Sequence, residues 1–425
     1  MRIIPKYKGD NLNIYNEKNI KDLEYEYKYT DIYTEDVSIH KEILRYKIIQ
    51  KIVKIFITEM KKLNKYVDTT RLYKYNKLIE LVQKWCWEQY NNKTQDYVIP
   101  YNIDNKYKYN EFVSNINNIL KINLDVKNKI YINLDKKLIK YLKKSYNNFK
   151  NKEEKIVTLN KTIQDKIIIS CIYDNRDYKI NISKDLYDRL IEKYKMYSRK
   201  DIEEINKYIF CLVFRYSYLD SVNQQLAINN QIKYLFKEYF INFELFGSAI
   251  NTISDNYCSL FYDIEKYFGS KGNVFNIKIN KGIYWCNPIY DETIMEKIAI
   301  KICKILIDNP ETAFIITVPI WDKYTQDKIK NEKIKYVCRN YNKDSNIEVH
   351  NDFKLYYLLK PYIKDELVIP KFRIPYFNHR LDTYIYAVNT YMLFVYNKIN
   401  EIYVKDIHNV FSKIIELDKK DYFII

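Results

Sequence analysis

The chain has 425 residues, of which 47% are hydrophobic, so it is long enough for two or three folding units with sizeable cores. Its 71 Lys and Arg residues outnumber its 54 Asp and Glu residues, and the formal charge of +17 favours a polyanionic partner, with nucleic acid ahead of an anionic membrane. The longest apolar runs fall short of the about 20 residues that span a membrane, and the opening segment MRIIPKYKGD lacks the apolar core of a signal peptide, which argues against secreted and membrane proteins.

The composition also determines which residue types are useful signals of function. Ile, Tyr, Lys and Asn are abundant, as AT-rich codons would produce, so isolated Lys, Asn or Tyr residues are weak signals of function. Glycine is rare, with 5 in the whole chain, and each one is therefore informative. The 7 cysteines form no CxxC pair and show no Cys/His spacing typical of zinc. This predicts reduced thiols, no metal site, and a cytoplasmic or nuclear location.

Residues 1–160 are predicted to form a mostly helical, basic, RNA-facing domain. Ile and Leu recur at three- and four-residue spacing over 40–66 and again over 72–90, which is typical of helices with one apolar face. A lysine-dense stretch follows at 136–155. Its lysines either contact phosphates or form a solvated helix face, and the pattern does not decide between the two.

Residues 161–235 are predicted to form a connecting module of mixed structure. Paired strands are expected over 166–174 and 178–183, followed by helices over 185–197 and 201–219. The module leads into the last part of the chain, where the character of the sequence changes.

Residues 236–400 show alternating strand and helix patterns, which predict an α/β domain with parallel strands, and 401–425 are predicted to form a helical tail. Four of the 5 glycines lie in this domain, between Gly247 and Gly282. The predicted elements are strands over 241–246, 274–279, 282–286, 313–321 and 383–397, and a helix over 291–307.

Two strand ends in this domain are candidate sites, because ligands of open α/β sheets bind beyond the carboxyl ends of the strands. The first end carries Glu244, followed by Gly247 and Ser248, where backbone left bare by the glycine can lie against a cofactor. A glycine and a serine after a strand are more often an ordinary turn. The second end carries Asn287-Pro288-Ile289-Tyr290.

The second segment is suited to holding the exocyclic amine of a base. The Asn287 side-chain oxygen and the Pro288 carbonyl oxygen can each accept one N–H, which directs the nitrogen lone pair at a methyl sulfonium. Tyr290 can stack on the plane of the base. An ordinary alternative is that Pro288 only starts the next helix, but this leaves Asn287 and Tyr290 unexplained. Cys286 is interpreted as a strand residue and not as a nucleophile.

The stretch 243–276, together with the CNPIYDE segment after it, resembles the phosphorylated-CTD-interacting-factor family of cap-specific adenosine N6-methyltransferases. The matching motifs are Ser248-x-x-Asn251, YCSLFYD (257–263), YFGSKG (267–272), the Asn287-Pro288 pair, VPIW (318–321), and Pro370, Phe372 and Tyr376 of VIPKFRIPY (368–376). The resemblance extends over about 236–397 and includes no motif of the N-terminal half.

The resemblance implies a Rossmann-like class I methyltransferase domain preceded by a mostly helical N-terminal domain. It implies methyl transfer from S-adenosylmethionine to N6 of the first transcribed adenosine of capped mRNA, with Asn287, Pro288 and Tyr290 as catalytic residues. By the general logic of this fold, we expect the cofactor to be bordered by Glu244, Phe246, Gly247, Ser248, Asp263, Phe268 and Gly269. The role of Asp263, on the ribose hydroxyls, is inferred from its placement. The implied partner is capped RNA. Trp321 in the pocket, and His379 and Arg380 on phosphate, are weaker candidates, for which core packing and surface exposure are the alternatives.

The chain departs from the family in two respects. The family's tetrapeptide is Asn-Pro-Pro-aromatic, and Ile289 stands at the second proline, so backbone rigidity is lost and activity is in question. Animal members of the family carry a WW domain, but Trp85 and Trp87 lie too close together to form one. We therefore expect neither that domain nor a module that binds the polymerase tail. The composition and the reduced core suggest a viral or protist source, with a viral replication compartment as one alternative location.

Two other functions remain open at this point. A degenerate methyltransferase domain can serve as an RNA-binding or assembly protein, and a DNA adenine-N6 methyltransferase would use the same chemistry. The intact Asn-Pro-x-Tyr segment and the retained glycines favour an enzyme. The sequence indicates neither the residues that bind the cap nor the oligomeric state.

Overall fold

The computed structural model describes two compact units. The N-terminal unit comprises the described parts of Lys28–Lys195 and Arg199–Ser221, and the C-terminal unit comprises Met196–Ser198 and the described part of Val222–Ile425. The described residues are 37–61, 96, 98–99, 117, 129–150, 158–163, 165–219, 226–322, 326–327, 329–330, 337–340, 353–371, 373–378, 383–386, 388–398 and 401–419.

The N-terminal unit combines helices with a three-stranded antiparallel sheet. Its elements are α1 (Ile39–Lys61), α2 (Lys129–Lys150), β1 (Thr158–Ile163), β2 (Lys166–Tyr173), β3 (Arg176–Ser183), α3 (Lys184–Tyr197), a 3-10 turn (Ile202–Glu204) and α4 (Ile205–Leu219). β2 and β3 form the predicted hairpin: side chains alternate between buried and exposed, and Asp174 and Asn175 both adopt positive φ in the turn. α4 is buried along almost its whole length.

A buried network of charges joins α1 to α4. The Glu42 carboxylate accepts hydrogen bonds from Arg215 (Nε at 3.0 Å, Nη2 at 2.7 Å), from Arg45 (Nη1 at 2.8 Å) and from the Tyr218 hydroxyl. Arg45 also donates to Asp96 through Nε at 2.9 Å and Nη2 at 2.7 Å. All five side chains are buried. Each charge has an opposite partner in the network, so removing one member would leave another charge buried without compensation.

This network makes the stability of the unit sensitive to acid. Burial acts to raise the pKa of Glu42, but the guanidinium groups of Arg215 and Arg45 outweigh it and hold that pKa below the ordinary 4.5. The stabilisation that ionised Glu42 contributes is therefore fully present above about pH 4.5. It is lost as the pH falls through the lower pKa that Glu42 has in the folded state. We expect Glu42→Gln to flatten this acid limb in urea unfolding curves measured from pH 3 to 7. Equal pH slopes for parent and variant would contradict this role of Glu42.

The C-terminal unit contains two sheets. Its elements are β4 (Leu226–Ala227), α5 (Asn230–Glu238), β5 (Phe243–Glu244), β6 (Asn256–Tyr257), α6 (Tyr262–Glu265), a 3-10 turn (Lys266–Phe268), β7 (Gly282–Cys286), α7 (Glu292–Asp308), β8 (Thr312–Pro319), β9 (Val337–Asn340), α8 (Lys354–Leu359), a 3-10 turn (Lys360–Tyr362), β10 (Ile363–Ile369), β11 (Tyr376–Asn378), β12 (Thr383–Ile385), β13 (Thr390–Tyr396) and α9 (Glu401–Lys419). The larger sheet has seven strands in the order β6-β5-β7-β8-β13-β10-β9, and the smaller one has the order β12-β11-β4.

The larger sheet is parallel in one half and antiparallel in the other. β6, β5, β7 and β8 run parallel to one another. β13 pairs antiparallel with both β8 and β10, and β9 pairs antiparallel with β10. The predicted mixed α/β fold with parallel strands is confirmed in this form, which is consistent with a methyltransferase fold.

Helices cover both faces of this sheet. α7 and α8 pack on one face through Met295, Ile298 and Leu355, and α5 and α9 pack on the other through Phe236 and Phe411. β8 lies between the two layers with all of its residues buried, which explains why its sequence is mostly apolar, apart from Thr312 and Thr317, and does not alternate.

Three expectations about strands were wrong. Residues 274–277 form a turn instead of a strand, because Asn273 accepts from the Phe275 N–H through Oδ1 (3.0 Å) and from the Asn276 N–H through its carbonyl (2.9 Å). Lys301 on α7 also donates to the carbonyls of Val274 (2.6 Å) and Ile277 (2.8 Å). β12 was expected in the same sheet as β13, but it pairs with β11 in the smaller sheet. β13 was expected to run parallel, but it lies between β8 and β10 and pairs antiparallel with both. The helix predicted over 72–90 lies outside the described residues.

Within the described part of the chain, no helix combines the length and the hydrophobicity needed to cross a membrane. The same residues contain no group of three or more His, Cys, Asp or Glu side chains arranged to hold a metal ion. The described cysteines are free and buried: Cys171, Cys211, Cys258, Cys286 and Cys303.

Candidate functional site

The four parallel strands end at one edge of the larger sheet, and the predicted site residues follow two neighbouring strands at this edge. Glu244 on β5 pairs with Trp285 on β7, and the Leu245 N–H donates to the Trp285 carbonyl at 2.8 Å. The turn at Gly247 and the loop at Asn287 each begin two residues further on. The two segments therefore leave the sheet side by side, as ligand-binding loops of α/β sheets do.

The loop after β7 places a tyrosine hydroxyl beside Asn287. Asn287 and Tyr290 are half-buried and Pro288 is buried. The Tyr290 hydroxyl lies 3.3 Å from Asn287 Oδ1 and 2.7 Å from the Tyr376 hydroxyl. The two tyrosine rings meet edge to face at 6.4 Å. Burial, and then the neighbouring Tyr376, raise the pKa of Tyr290 well above its ordinary value, so this hydroxyl keeps its proton at any working pH.

The same loop is held at both ends without a second proline. Cys286 at its start pairs with Ile316 on β8. After it, the Asp291 N–H donates to the Ile289 carbonyl at 2.7 Å, which closes a three-residue turn centred on Tyr290. The Asp291 side chain then accepts from the Ile294 N–H at 3.1 Å and caps α7. These contacts restrain the backbone on both sides of Ile289.

The turn after β5 is closed by its own side chains. The Ser248 N–H donates to Asn251 Oδ1 at 2.8 Å, and the Asn251 N–H lies 3.2 Å from Ser248 Oγ. A Cβ at position 247 would lie 3.2 Å from the Glu244 carboxyl carbon, so Gly247 allows the buried Glu244 side chain to lie beneath the turn. Phe246 remains half-buried and packs against the ring of Phe275.

Two residues that sequence reasoning missed hold this turn from outside. Glu265 on α6 accepts a hydrogen bond from the Ala249 N–H at 2.7 Å. Lys233 on α5 donates to the Asn251 carbonyl and lies 5.4 Å from the centre of the Trp285 ring. Both side chains are buried. No sequence signal marked either one, because single lysines and glutamates are common in this chain.

The remaining predicted cofactor residues follow β6. Asp263 is buried on α6, and Phe268 is fully buried in the 3-10 turn after it. Gly269 follows with φ = 96°, and a Cβ there would lie 2.5 Å from the Tyr197 ring. The glycine at this position thus has a packing reason of its own, independent of any ligand.

Gly269→Ala is therefore expected to destabilise the chain. The variant combines a left-handed backbone with a steric clash, and we expect it to lose about 2 kcal/mol of unfolding free energy in urea titrations. Lys278→Ala, at an exposed position in the same unit, is the matched control and should change stability by less than about 0.5 kcal/mol. Equal stability of Gly269→Ala and the parent would show that the backbone here is not constrained.

Cys286, at the start of the Asn287 loop, is unsuited to act as a nucleophile. Burial raises the pKa of the Cys286 thiol well above its ordinary value, which disfavours the thiolate that a nucleophile requires. Trp321 is half-buried and its ring contacts Phe353. Phe372, His379 and Arg380 lie outside the described residues.

The N-terminal unit has an open cavity of about 630 Å³, and none of the predicted site residues lines it. Its walls come from α1, the β2–β3 hairpin and α4, and include Tyr46, Arg176, Tyr178 and Phe214. It is thus distinct from the strand ends at which the sequence places the candidate chemistry.

Comparison with known proteins finds similarity to RNA-modifying enzymes. A family model described as the phosphorylated CTD interacting factor 1 WW domain matches residues 183–351. The mRNA (2'-O-methyladenosine-N(6)-)-methyltransferases of Homo sapiens and Mus musculus are each 25% identical to the chain over 152 residues. Each match covers 33% of this chain and 22% of the relative, so most of either relative has no counterpart in the alignment.

The family model overturns two expectations from the sequence. The absence of a WW domain, and with it of a module that binds the polymerase tail, was inferred from the close spacing of Trp85 and Trp87. The matching model carries the WW domain in its description and covers 183–351, a range that contains Trp285 and Trp321 instead. Both expectations were wrong, because they considered only one pair of tryptophans.

Proposed function

We propose that the chain is an S-adenosylmethionine-dependent methyltransferase that modifies N6 of the adenosine next to the mRNA cap. The observation that carries this proposal is the Asn287-Pro288 loop, which leaves the sheet beside the Gly247 turn at the carboxyl ends of parallel strands. The similarity to the human and mouse methyltransferases supports the reaction class. The strand order, with antiparallel β13 between β8 and β10, supports a Rossmann-like class I methyltransferase domain.

The residues after β5 and β6 suit the cofactor. Glu244 and Asp263 are buried carboxylates near the ends of adjacent parallel strands, and carboxylates are the usual acceptors for ribose hydroxyls. Gly247 has no side chain, so a ligand can approach its backbone closely. The N–H groups of Gly247 and Ser248 already donate to the Cys258 carbonyl and to Asn251 Oδ1. Phe246, Phe268 and Gly269 complete the set that would border S-adenosylmethionine. When bound, the cofactor supplies an electrophilic methyl group.

Asn287, Pro288 and Tyr290 would position the base. The side-chain oxygen of Asn287 and the carbonyl of Pro288 accept the two N–H groups of the adenine amine, and this orients the nitrogen lone pair for attack. The Tyr290 ring, which stays partly exposed, is the stacking surface. A nucleotide at the 5′ end needs little unstacking to reach such a loop.

A panel of substrates tests the proposal. The chain is incubated with methyl-labelled S-adenosylmethionine and capped RNA starting with A, capped RNA starting with G, uncapped RNA starting with A, or duplex DNA, and the products are digested to nucleosides. We expect labelled N6-methyladenosine from capped A-RNA alone. Equal labelling of uncapped RNA would remove the cap requirement, and labelling of duplex DNA would identify a DNA methyltransferase.

A thermal-shift measurement with S-adenosylmethionine separates an enzyme from a scaffold. A ligand that binds only the folded chain stabilises it, by about 2.7 kcal/mol when its concentration is 100 times Kd. This stabilisation raises the Tm. No shift, together with no transfer to any substrate in the panel, would leave the RNA-binding or assembly protein as the function.

A further inference from the structure

A chain of three hydroxyl groups runs from Asn287 to a backbone carbonyl. The Tyr290 hydroxyl lies 2.7 Å from the Tyr376 hydroxyl, which in turn lies 2.8 Å from Thr390 Oγ1. At one end Tyr290 is 3.3 Å from Asn287 Oδ1, and at the other end Thr390 is 3.3 Å from the Val388 carbonyl. Tyr376 and Thr390 are buried. The chain therefore has four hydrogen-bonding contacts between two terminal oxygens.

The number of protons does not match the number of contacts. Each hydroxyl donates one proton, whereas the Asn287 oxygen and the Val388 carbonyl can only accept. With Oδ1 facing Tyr290, three protons serve four contacts and one contact stays unmade. The hydroxyls of Tyr376 and Thr390 are buried and need their partners most, so the three protons point towards Val388. This leaves two acceptors, the Tyr290 hydroxyl oxygen and Asn287 Oδ1, facing each other at the half-buried end of the chain, which is unfavourable.

Turning the Asn287 amide by 180° resolves the mismatch. The oxygen and nitrogen of a carboxamide have the same shape, so their positions are assigned from the hydrogen-bond network. With Nδ2 facing Tyr290, the amide supplies the fourth proton. Each group then donates a hydrogen bond to the next one, starting at the Asn287 amide. The donation passes through Tyr290, Tyr376 and Thr390 and ends at the Val388 carbonyl.

We infer that Tyr376 and Thr390 are positioning residues, which act through the Tyr290 hydroxyl to hold the Asn287 amide with its oxygen directed away from Tyr290. In this orientation Oδ1 has no partner in the hydroxyl chain and can accept an N–H from the adenine amine. The inference rests on the proposed function for that last step. This positioning role requires the Tyr290 hydroxyl, whereas stacking on a base requires only the ring.

We expect the effects of Tyr376→Phe and Tyr290→Phe on kcat not to add. In Tyr376→Phe the Tyr290 hydroxyl loses its acceptor and donates to Asn287 instead, so the amide turns its oxygen away from the substrate. We expect kcat to fall about 10-fold, the factor that corresponds to one hydrogen bond, with an unchanged KM for RNA. Tyr290→Phe leaves the amide without a fixed orientation and should lose less. Adding Tyr290→Phe to Tyr376→Phe removes the competing donor and should restore kcat to the level of Tyr290→Phe alone.

A purely structural role for Tyr376 would give a different result. The losses of the two variants would then add, and the double variant would be the least active of the three. That outcome would overturn the inference. Tyr194→Phe is the matched control, since it removes a buried tyrosine hydroxyl that donates to the Asp201 carbonyl at 3.2 Å in the N-terminal unit. Its kcat should equal that of the parent.

An NMR measurement tests the amide orientation without relying on activity. The full chain is labelled with 15N-asparagine, and the Asn287 side-chain signal is identified by its absence in Asn287→Ala. We expect one Nδ2 proton to be protected from exchange in the parent and unprotected in Tyr290→Phe. An unprotected amide in the parent would overturn the inference. A protected amide in a chain that transfers no methyl group would overturn the proposed function and leave the hydroxyl chain intact.

Discussion

Replacing Asn287 by alanine is expected to lower kcat for methyl transfer by on the order of 10²–10³-fold, the loss typical of removing one preorganised polar contact at a reacting group. The variant removes the acceptor that holds one N–H of the adenine amine, and it leaves the cofactor residues after β5 and β6 in place. Binding of S-adenosylmethionine, measured by calorimetry, should therefore stay close to that of the parent. Turnover is measured with labelled cofactor at saturating RNA.

Asn181→Ala is the control for this experiment. Asn181 is an exposed asparagine on β3 in the N-terminal unit, and its removal should leave both kcat and stability unchanged. An Asn287→Ala variant as active as the parent would show that the Asn-Pro-Ile-Tyr segment is not the catalytic element. Loss of cofactor binding together with turnover would instead show that the substitution disturbs the fold of the strand ends.

Arg215→Met is expected to cost about 3–5 kcal/mol of unfolding free energy, because it leaves the buried Glu42 carboxylate without its main partner. Arg215 makes two hydrogen bonds to Glu42, at 3.0 and 2.7 Å, and both side chains are almost inaccessible to solvent. The remaining partners, Arg45 and Tyr218, compensate the charge only in part. Urea unfolding of the whole chain, followed by circular dichroism, measures the loss.

Two further variants make this test decisive even if Arg215→Met does not fold. Replacing both partners, as Glu42→Leu with Arg215→Met, removes the unpaired charge and should recover part of the stability. Lys179→Ala breaks an exposed ion pair with Asp177 of 2.7 Å and should cost less than about 1 kcal/mol. A cost for Arg215→Met as small as that for Lys179→Ala would mean that the buried network does not hold α1 and α4 together.

Local patterns in the sequence were sufficient to predict the helix and the strand on either side of the Asn287 loop. The apolar spacing of 291–307 predicted α7, and the run ending in Cys286 predicted β7, so the position of Asn287 between a strand and a helix followed directly. The β2–β3 hairpin was predictable for the same reason, because alternation and turn residues are local signals.

Contacts between distant residues could not be predicted from one sequence. The partner of Glu42 lies 173 positions away at Arg215, and that of Tyr290 lies 86 positions away at Tyr376. The insertion of β13 between β8 and β10 likewise depends on packing, since its sequence is that of any buried strand. By contrast, the turn at 274–277 follows Asn273, whose side chain accepts from the Phe275 N–H at 3.0 Å, and this local signal was overlooked in the strand prediction.

A crystal structure of the chain with S-adenosylhomocysteine would show where the cofactor binds. We expect the ligand at the carboxyl ends of β5 and β7, against the Gly247-Ser248 turn and with its sulfur facing Asn287. A ligand bound elsewhere, such as in the 630 Å³ cavity of the N-terminal unit, would contradict the assignment of this edge as the site of methyl transfer.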